Sequence, residues 1–453
     1  MFAGPTGLSS DLRILRAPAA VPAGRPLNAL PPMLLSIFSL LLGVGVLLVG
    51  VGFFFTLLGV RAGVEGFSDA VTGVMMSFYF LGFIVGTYVC PWIIRHAGHV
   101  RAFAAMASIA STMAVVHAIV VDPVAWSVLR AITGACLVGI YMVIESWLNA
   151  LATNKTRGTL FGGYMTVTLV SQALGQYLIL VGDVGTFVPF GVVSVILSVA
   201  LVPIVMTKVK EPAPVPTPEL HLGDLFRRVP LGPAGAVTSG LVNGTFWSLG
   251  AVYAFRQGFS EAQVAAFVST AVLGGAVLQF PIGRLSDAYD RRRVLTGISL
   301  AGAALAGVAF ALGFVSPAAL IACMFFYGGA AFTVYGLAVA HLNDYLRAED
   351  TLEATRGLLL VHGVGAAVGP ALAGLLMDRL GAPTLFLYFA AVLGALAAFG
   401  VAQMRKPVPE TAGHTGFMPM GEGSTVAAEL DPRTDAVPEE VPPTPEAAQS
   451  TAR

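Results

Sequence analysis

The chain contains twelve long apolar stretches, separated by short polar segments, between Met33 and Ala402. A helix needs about 20 consecutive apolar residues to cross the hydrocarbon core of a bilayer. Membrane barrel strands are instead about ten residues long and alternate in polarity. The pattern therefore predicts an all-α membrane protein with twelve transmembrane helices. The predicted spans are residues 33–60, 69–92, 102–121, 124–149, 159–181, 186–206, 233–255, 262–283, 294–314, 317–341, 356–377 and 383–403.

Composition supports this class of protein. Of the 453 residues, 56% are hydrophobic and only 11% are charged, whereas soluble domains carry about 25% charged residues. Lipid must therefore cover much of the folded chain. The net charge is zero and no basic stripe is present, so nucleic-acid binding is not expected. Cys90, Cys136 and Cys323 lie inside apolar stretches at unrelated spacings, which predicts buried thiols rather than a disulfide or a metal site.

The distribution of arginine and lysine predicts the orientation in the membrane. If the N-terminus is cytoplasmic, 19 of the 25 basic residues lie near the cytoplasmic ends of the spans, and external loops hold only Arg61, Arg256 and Arg379. Membrane proteins carry such an excess of positive charge in their cytoplasmic loops. We therefore expect both termini in the cytoplasm.

A long polar segment divides the chain. Residues 207–232, rich in proline and charge, form a predicted cytoplasmic loop between two six-helix bundles, residues 33–206 and 233–403. Residues 1–32 are a predicted cytoplasmic tail. Residues 404–453 are rich in Pro, Glu, Ala and Thr, and they hold too little apolar surface to offset the entropy of ordering. We therefore predict a disordered cytoplasmic tail there.

The two halves also share a pattern of residues. Three residues of the fourth predicted span recur within the tenth or just after its end, at a constant offset of 194 residues. Their common order within corresponding helices indicates an internal duplication, which is frequent in transporters. The matching pairs are Gly134 and Gly328, Tyr141 and Tyr335, and Asn149 and Asn343.

The loop after the eighth predicted span reads Gly283-x-Leu-Ser-Asp287-x-x-Asp290-Arg291-Arg292. The glycine permits close helix contact. An aspartate at a helix C-terminus is disfavoured by the helix dipole unless it pairs with a cation. The loop therefore predicts an Asp–Arg lock that forms in one conformation and breaks in another. The alternative is that the arginines only set the membrane topology.

This loop resembles the cytoplasmic signature loop of the major facilitator superfamily. The twelve spans in two halves fit the same family, so the resemblance covers residues 33–403. It implies two pseudo-symmetric six-helix bundles that rock around a central cavity.

The corresponding loop of the first half keeps Gly98 and the basic Arg101, but it has Arg95 where the family usually carries an acid. Residues 98–103, together with residues 145–149, resemble the YcaD-like bacterial branch of the family. That resemblance implies a multi-pass protein of a bacterial inner membrane. The predicted cytoplasmic gate consists of Gly98, Arg101, Asn149, Gly283, Asp287, Asp290, Arg291, Arg292, Asn343 and Asp344.

The fourth predicted span carries two charges, Arg130 and Glu145. An ionisable side chain inside a membrane needs a partner or a wet cavity. Arg130 resembles the arginine that the family carries in this helix. It is a candidate for anion binding or coupling, or for structural hydrogen bonds to neighbouring helix ends. Glu145 is a candidate gate latch with Arg101 or Arg95, a candidate protonatable coupling site, or a passive structural residue.

Few other polar residues lie within the spans, and they complete the candidate set for substrate binding and coupling. Each has the alternative interpretation of a hydrogen bond between helices. A histidine here could titrate near neutral pH. The resemblance places the cavity among helices 1, 4, 7 and 10, which favours the candidates on helices 7 and 10. These further candidates are Tyr141, Gln172, Asn243, Trp247, Tyr335 and His362.

The sequence contains no phosphate-binding loop, catalytic triad spacing or metal-ligand cluster. We therefore expect neither an enzyme nor a cofactor. The favoured hypothesis is a monomeric secondary active transporter that moves a small organic solute through the lipid bilayer by alternating access, coupled to protons as a symporter or an antiporter. The alternative is a non-transporting sensor or assembly factor built on the same fold.

Overall fold

The computed structural model describes residues 32–153, 156–206, 227, 229–346, 348–406 and 417, and these residues form helices and short turns without a strand. Most of the predicted tails and of the central loop lies outside these ranges. We label the long helical segments α1 to α12. The first six are α1 Pro32–Val64, α2 Asp69–Ala97, α3 His99–Ile119, α4 Pro123–Leu151, α5 Arg157–Val181 and α6 Val188–Val205. The others are α7 (231–256), α8 Glu261–Ala288, α9 Arg291–Leu312, α10 Pro317–Asn343, α11 Ala348–Leu380 and α12 Thr384–Met404.

Eleven of these segments in the described part of the chain are long and apolar enough to cross a membrane. The predicted seventh span, α7, is instead composite. Helices Leu231–Ser239 and Thr245–Arg256 are joined without a gap by a π-helical turn, Gly240–Gly244. A π-helical turn interrupts the regular hydrogen-bond ladder of an α-helix and is frequent at functional sites.

Glycine explains how the π-helical turn of α7 packs on α11. A Cβ atom on Gly240 would overlap the carbonyl oxygen of His362, and one on Gly244 would lie 2.6 Å from the Cα atom of Ala366. The backbones of the two helices are therefore in direct contact. Only glycine, which has no Cβ atom, fits at both positions without moving the helices apart.

Successive spans run in opposite directions, so the connecting loops form two faces. We call the face with the start of α1 and the end of α12 the terminal face, and the opposite one the far face. The α2–α3 and α8–α9 loops lie on the terminal face. The α1–α2 and α7–α8 loops lie on the far face.

An equivalent glycine contact joins corresponding helices in the two halves. In the first half α2 packs on α4, and a Cβ atom on Gly134 would overlap the carbonyl oxygen of Tyr79. In the second half α8 packs on α10, and a Cβ atom on Gly328 would overlap that of Ala271. Small residues let membrane helices approach closely enough for van der Waals packing to hold them. The duplicated sequence pattern thus corresponds to a duplicated helix contact.

The halves contact each other through α1 and α7, α2 and α11, and α5 and α8. Several of these contacts lie near the far face and again involve glycine. A Cβ atom on Gly73 of α2 would collide with the backbone of Pro370 of α11, and Gly63 of α1 packs on the ring of Phe255 of α7. The halves are therefore held close together toward the far face.

The glycine contact predicts a position-dependent cost of adding a methyl group. Gly134→Ala should lower the free energy of unfolding by about 1–3 kcal/mol, because overpacking forces α2 and α4 apart. Thermal denaturation of the purified protein in detergent measures the change. Gly307→Ala is the matched control, since a Cβ atom there would have open space. Equal stability of the two variants would contradict the assigned contact.

Candidate functional site

A cavity of about 160 Å³ lies between the two halves. Helices α1, α2, α4 and α5 of the first half and α7, α8, α10 and α11 of the second contribute to its wall. Its wall contains four of the residues proposed from sequence for substrate binding or coupling. They are Tyr141, Gln172, Trp247 and His362.

Aromatic rings connect the halves along the cavity wall. The ring centroids of Tyr79 and Phe55 in the first half lie 4.8 Å apart, and that of Phe55 lies 6.3 Å from Trp247 in the second half. Trp247 in turn lies 6.0 Å from Phe332. Of these four wall residues, sequence reasoning selected only Trp247. Aromatic residues are frequent throughout the spans, so no local signal distinguishes the cavity rings from packing residues.

Arg130 lies behind this aromatic wall and does not contribute to the cavity lining. Its side chain is fully buried. The guanidinium carbon lies 4.2 Å from the ring centroid of Phe55 and 4.4 Å from that of Tyr79. Within the described part of the chain, its three nitrogen atoms have no hydrogen-bond partner. Stacking on ring faces compensates part of the cost of burying the charge.

Glu145 is also fully buried, and Tyr164 links it to the cavity. The Tyr164 hydroxyl donates a hydrogen bond of 3.0 Å to Oε1 of Glu145, while the Tyr164 side chain forms part of the cavity wall. Arg95 and Arg101, the partners expected from sequence, are exposed. The structure therefore places a buried carboxyl one hydrogen bond away from a cavity-lining side chain.

The other two candidates, Asn243 and Tyr335, are not among the residues that line the cavity. Asn243 is fully buried in the π-helical turn of α7, where its Nδ2 donates a hydrogen bond of 3.0 Å to Oγ of Ser239. The ring of Tyr335 packs edge-on against His362, with 5.0 Å between ring centroids. Tyr335 thus supports a wall residue from behind.

On the terminal face, Arg291 is the centre of an ionic cluster in the second half. Its Nε lies 2.8 Å from Oδ2 of Asp344, at the end of α10, and its Nη2 lies 3.0 Å from Oδ1 of Asp287, at the end of α8. The Arg291 side chain is only 3% exposed, that of Asp344 is 6% exposed and that of Asp287 is 40% exposed. The buried ion pair is therefore Arg291–Asp344, which ties the α8–α9 loop to α10.

Asp290 caps the start of α9. Its Oδ1 accepts a hydrogen bond of 2.8 Å from the backbone N–H of Arg292, and its Oδ2 lies 3.1 Å from Nη2 of the same residue. Partial burial opposes ionisation of Asp290, but these bonds and the charges of Arg292 and Arg293 prevail and lower the pKa of the carboxyl. Asp290 is thus an ionised helix cap.

The remaining gate candidates lie at the α2–α3 turn, at the start of α3 and at the ends of α4 and α10. Gly98 has φ +81° at the turn between α2 and α3, a conformation that favours glycine. Arg101 is exposed at the start of α3. Asn149 lies near the end of α4, and the buried Asn343 lies at the corresponding end of α10.

A residue beyond α12 also reaches this loop. The ring of Phe417 packs on Gly283, where any Cβ atom would overlap it. The backbone N–H of Phe417 donates a hydrogen bond of 2.7 Å to Oδ1 of Asp287. Nothing in the composition of the C-terminal segment indicated this contact.

An ion pair joins the two halves at the far face. Nε of Arg256, at the end of α7, lies 2.8 Å from Oδ1 of Asp69, at the start of α2. The same arginine donates a hydrogen bond of 2.7 Å from Nη2 to the carbonyl oxygen of Phe67. The sequence analysis used Arg256 only to predict the orientation in the membrane. Its partner Asp69 is 187 residues away in the chain, so nothing in the local sequence indicated the pair.

The unequal burial of the two aspartates around Arg291 gives a prediction. Asp344→Asn should lower the free energy of unfolding by about 3 kcal/mol, because it removes the negative charge of the buried partner of a buried guanidinium. Asp287→Asn, in contrast, should cost about 1 kcal/mol or less. Chemical denaturation in detergent micelles measures both. An equal or reversed order would show that the buried pair is not the dominant one.

Comparison with known proteins identifies relatives of this chain. Residues 233–429 match the Major Facilitator Superfamily. The chain is 28% identical over 343 residues to YcaD of Escherichia coli (strain K12 / DH10B), described as an uncharacterised MFS-type transporter. The alignment covers 74% of this chain and 87% of that relative.

Solved structures show the same fold at low sequence identity. The nucleoside transporter NupG superimposes with a TM-score of 0.68 at 14% identity, covering 82% of this chain and all of NupG. A bacterial homologue of the human lysosomal transporter Spinster, in an inward-facing and occupied conformation, also has a TM-score of 0.68, at 16% identity. That match covers 83% of this chain and 98% of the homologue. The chain is therefore a multi-pass membrane protein with the major facilitator fold, and its predicted resemblance to that superfamily and to YcaD is confirmed.

Proposed function

We propose that the protein is a secondary active transporter that moves a small organic solute across a bacterial inner membrane by alternating access. The family resemblance supports a transporter rather than an enzyme. The observation that carries the proposal is the cavity between the halves, since both halves contribute to its wall. Relative motion of the halves then changes access to the solute. A single chain supplies the whole cavity, so a monomer suffices.

The terminal face is assigned to the cytoplasm by the excess of basic residues in its loops. The far face is then external. There the Asp69–Arg256 ion pair and the contact of Gly73 with Pro370 hold the halves together. These contacts support the assignment of this structure to a state that is closed to the outside. Opening requires that these contacts separate.

Proton coupling is assigned to Glu145. Its carboxyl is buried and accepts a hydrogen bond from Tyr164, whose side chain lines the cavity. Protonation of Glu145 converts an acceptor into a potential donor, which changes the hydrogen bonding available to the Tyr164 hydroxyl. A solute in the cavity and a proton on Glu145 therefore act on the same tyrosine.

Arg130 is assigned to the conformational cycle rather than to direct solute contact. It lies behind Phe55 and Tyr79, and the cavity wall does not include it. Its three nitrogens lack a hydrogen-bond partner in the described part of this state. Buried polar groups without hydrogen bonds are costly. An alternative state that offers Arg130 an acceptor would be stabilised by that bond.

A flux assay tests the proposal. A thermal-shift screen of the purified protein against metabolites and drugs supplies ligands, and proteoliposomes then measure the flux of each ligand under an imposed pH gradient. We expect gradient-driven accumulation with the wild-type protein. Glu145→Gln should abolish that accumulation and retain solute exchange at equal pH, because the proton site is removed while the cavity remains.

Glu261→Gln is the matched control, since Glu261 is an exposed acid at the start of α8. It should behave as the wild type. Absence of flux for every ligand under both proton and sodium gradients would overturn the transporter, and a stable partner protein in the same preparation would then favour a sensor or an assembly factor. Gradient-driven accumulation by Glu145→Gln would overturn only the coupling site.

A further inference from the structure

We propose that the cavity selects uncharged, planar compounds that combine an aromatic ring with a cyclic amide or imide group. This inference rests on the proposed function and adds the chemical class of the solute. No Asp, Glu, Lys or Arg side chain of the described residues lines the cavity. A charged solute would lose its hydration there without gaining a carboxylate, ammonium or guanidinium partner in the wall, which is unfavourable. The volume of about 160 Å³ is similar to that of an engineered apolar protein cavity, of about 150 Å³, that binds benzene, which suits a small ring compound.

The aromatic wall favours a flat solute. Phe55 and Tyr79 from the first half and Trp247 and Phe332 from the second form a continuous series of rings with neighbouring centroids 4.8 to 6.3 Å apart. A planar ring can stack on or meet the edge of these rings, and each such contact stabilises binding beyond the area that it buries. The guanidinium of Arg130 lies over Phe55 and Tyr79, so it holds these two rings in place.

Two amides add the polar part of the site. Gln172 on α5 and Gln279 on α8 both line the cavity and are partly buried. Each amide offers one acceptor oxygen and two N–H donors. A heterocycle with an N–H group beside a carbonyl matches one amide in a pair of hydrogen bonds. Because α5 and α8 belong to different halves, a solute bound to both amides would connect the halves.

Two matched compounds test the class directly. Phthalimide is flat and carries an imide N–H between two carbonyl groups, whereas cis-hexahydrophthalimide keeps the imide on a saturated ring. Saturation-transfer NMR with the purified full-length protein measures both. We expect phthalimide to bind roughly tenfold more tightly, because only its ring makes the aromatic contacts. Equal binding of the two imides, or no signal from either, would overturn the inference.

Variants separate the ring and amide contributions. Trp247→Leu should lower phthalimide affinity several-fold, and Gln172→Leu with Gln279→Leu should lower it further. Trp92→Leu should leave it unchanged, since Trp92 is exposed at the end of α2. Phthalimide binding without flux of any compound would sustain this inference and overturn the transporter. Flux confined to non-aromatic solutes, without phthalimide binding, would overturn this inference and sustain the transporter.

A second inference follows independently from Phe417. We infer that Phe417 is a latch that keeps the terminal face open. It must leave α8 before the two halves can close there. Its ring covers Gly283, and its N–H binds the Oδ1 atom of Asp287 that also pairs with Arg291. Gly283 and Asp287 lie at the terminal end of α8, a helix through which the halves contact each other. The ring thus occupies the surface of α8 at this glycine, where a helix of the first half would otherwise have room to approach.

Distances across the terminal face test the latch. Spin labels at Val100→Cys and Arg293→Cys, in a chain whose three native cysteines are replaced by alanine, report the separation of the α2–α3 and α8–α9 loops. Both label sites are exposed. Phe417→Ala should shift the distribution toward shorter distances, and Phe417→Pro should shift it further because it also removes the N–H donor.

Phe314→Ala is the control, because Phe314 is an exposed aromatic residue at the far face. It should leave the distribution unchanged. Distances that are the same in the wild type and both Phe417 variants, with unchanged thermal stability, would overturn the latch. This readout requires no solute, so it is independent of the flux assay.

Discussion

Close backbone contact at glycine is the interaction on which the rest of this structure depends. Lipid tails are as apolar as the helix surfaces, so helices in a bilayer gain little from the hydrophobic effect when they pack together. Van der Waals contact must hold them, and it requires short distances. Gly134 and Gly328 provide such contacts within the two halves, and Gly73 provides one between them. The same kind of contact therefore stabilises each bundle and closes the far face.

The low polarity of the interior makes each buried charge significant. Arg291 and Asp344 form a buried pair, whereas Arg130 is placed among aromatic rings and Glu145 is bonded to a tyrosine hydroxyl. These are three different ways to lower the cost of a charge away from water. Arg291 thereby becomes part of the scaffold of the second half. Arg130 and Glu145 instead lie directly behind the cavity wall. For this reason we propose that they take part in the conformational cycle of transport.

The cavity combines rings and amides from both halves. A solute that contacts both Phe55 and Trp247 would touch the two halves at the same time. Solute binding and the relative position of the halves are thus linked through the same contacts. Phe417 is proposed to affect the same relative motion of the halves from a different site. It covers the end of α8 on the terminal face.

The sequence alone determined the membrane class, the approximate positions of the helices and the internal duplication. These properties depend on the length and apolarity of local segments and on regular spacing, which are readable without contacts. It also selected Tyr141, Gln172, Trp247 and His362, because polar and amphipathic residues stand out in an apolar span. Only the tertiary structure decided that Asp69 meets Arg256, that Asp344 rather than Asp287 shares the buried ion pair, and that Phe55, Tyr79 and Gln279 line the cavity. Such partners are distant in sequence, and the fold brings together side chains that carry no local mark of their neighbours.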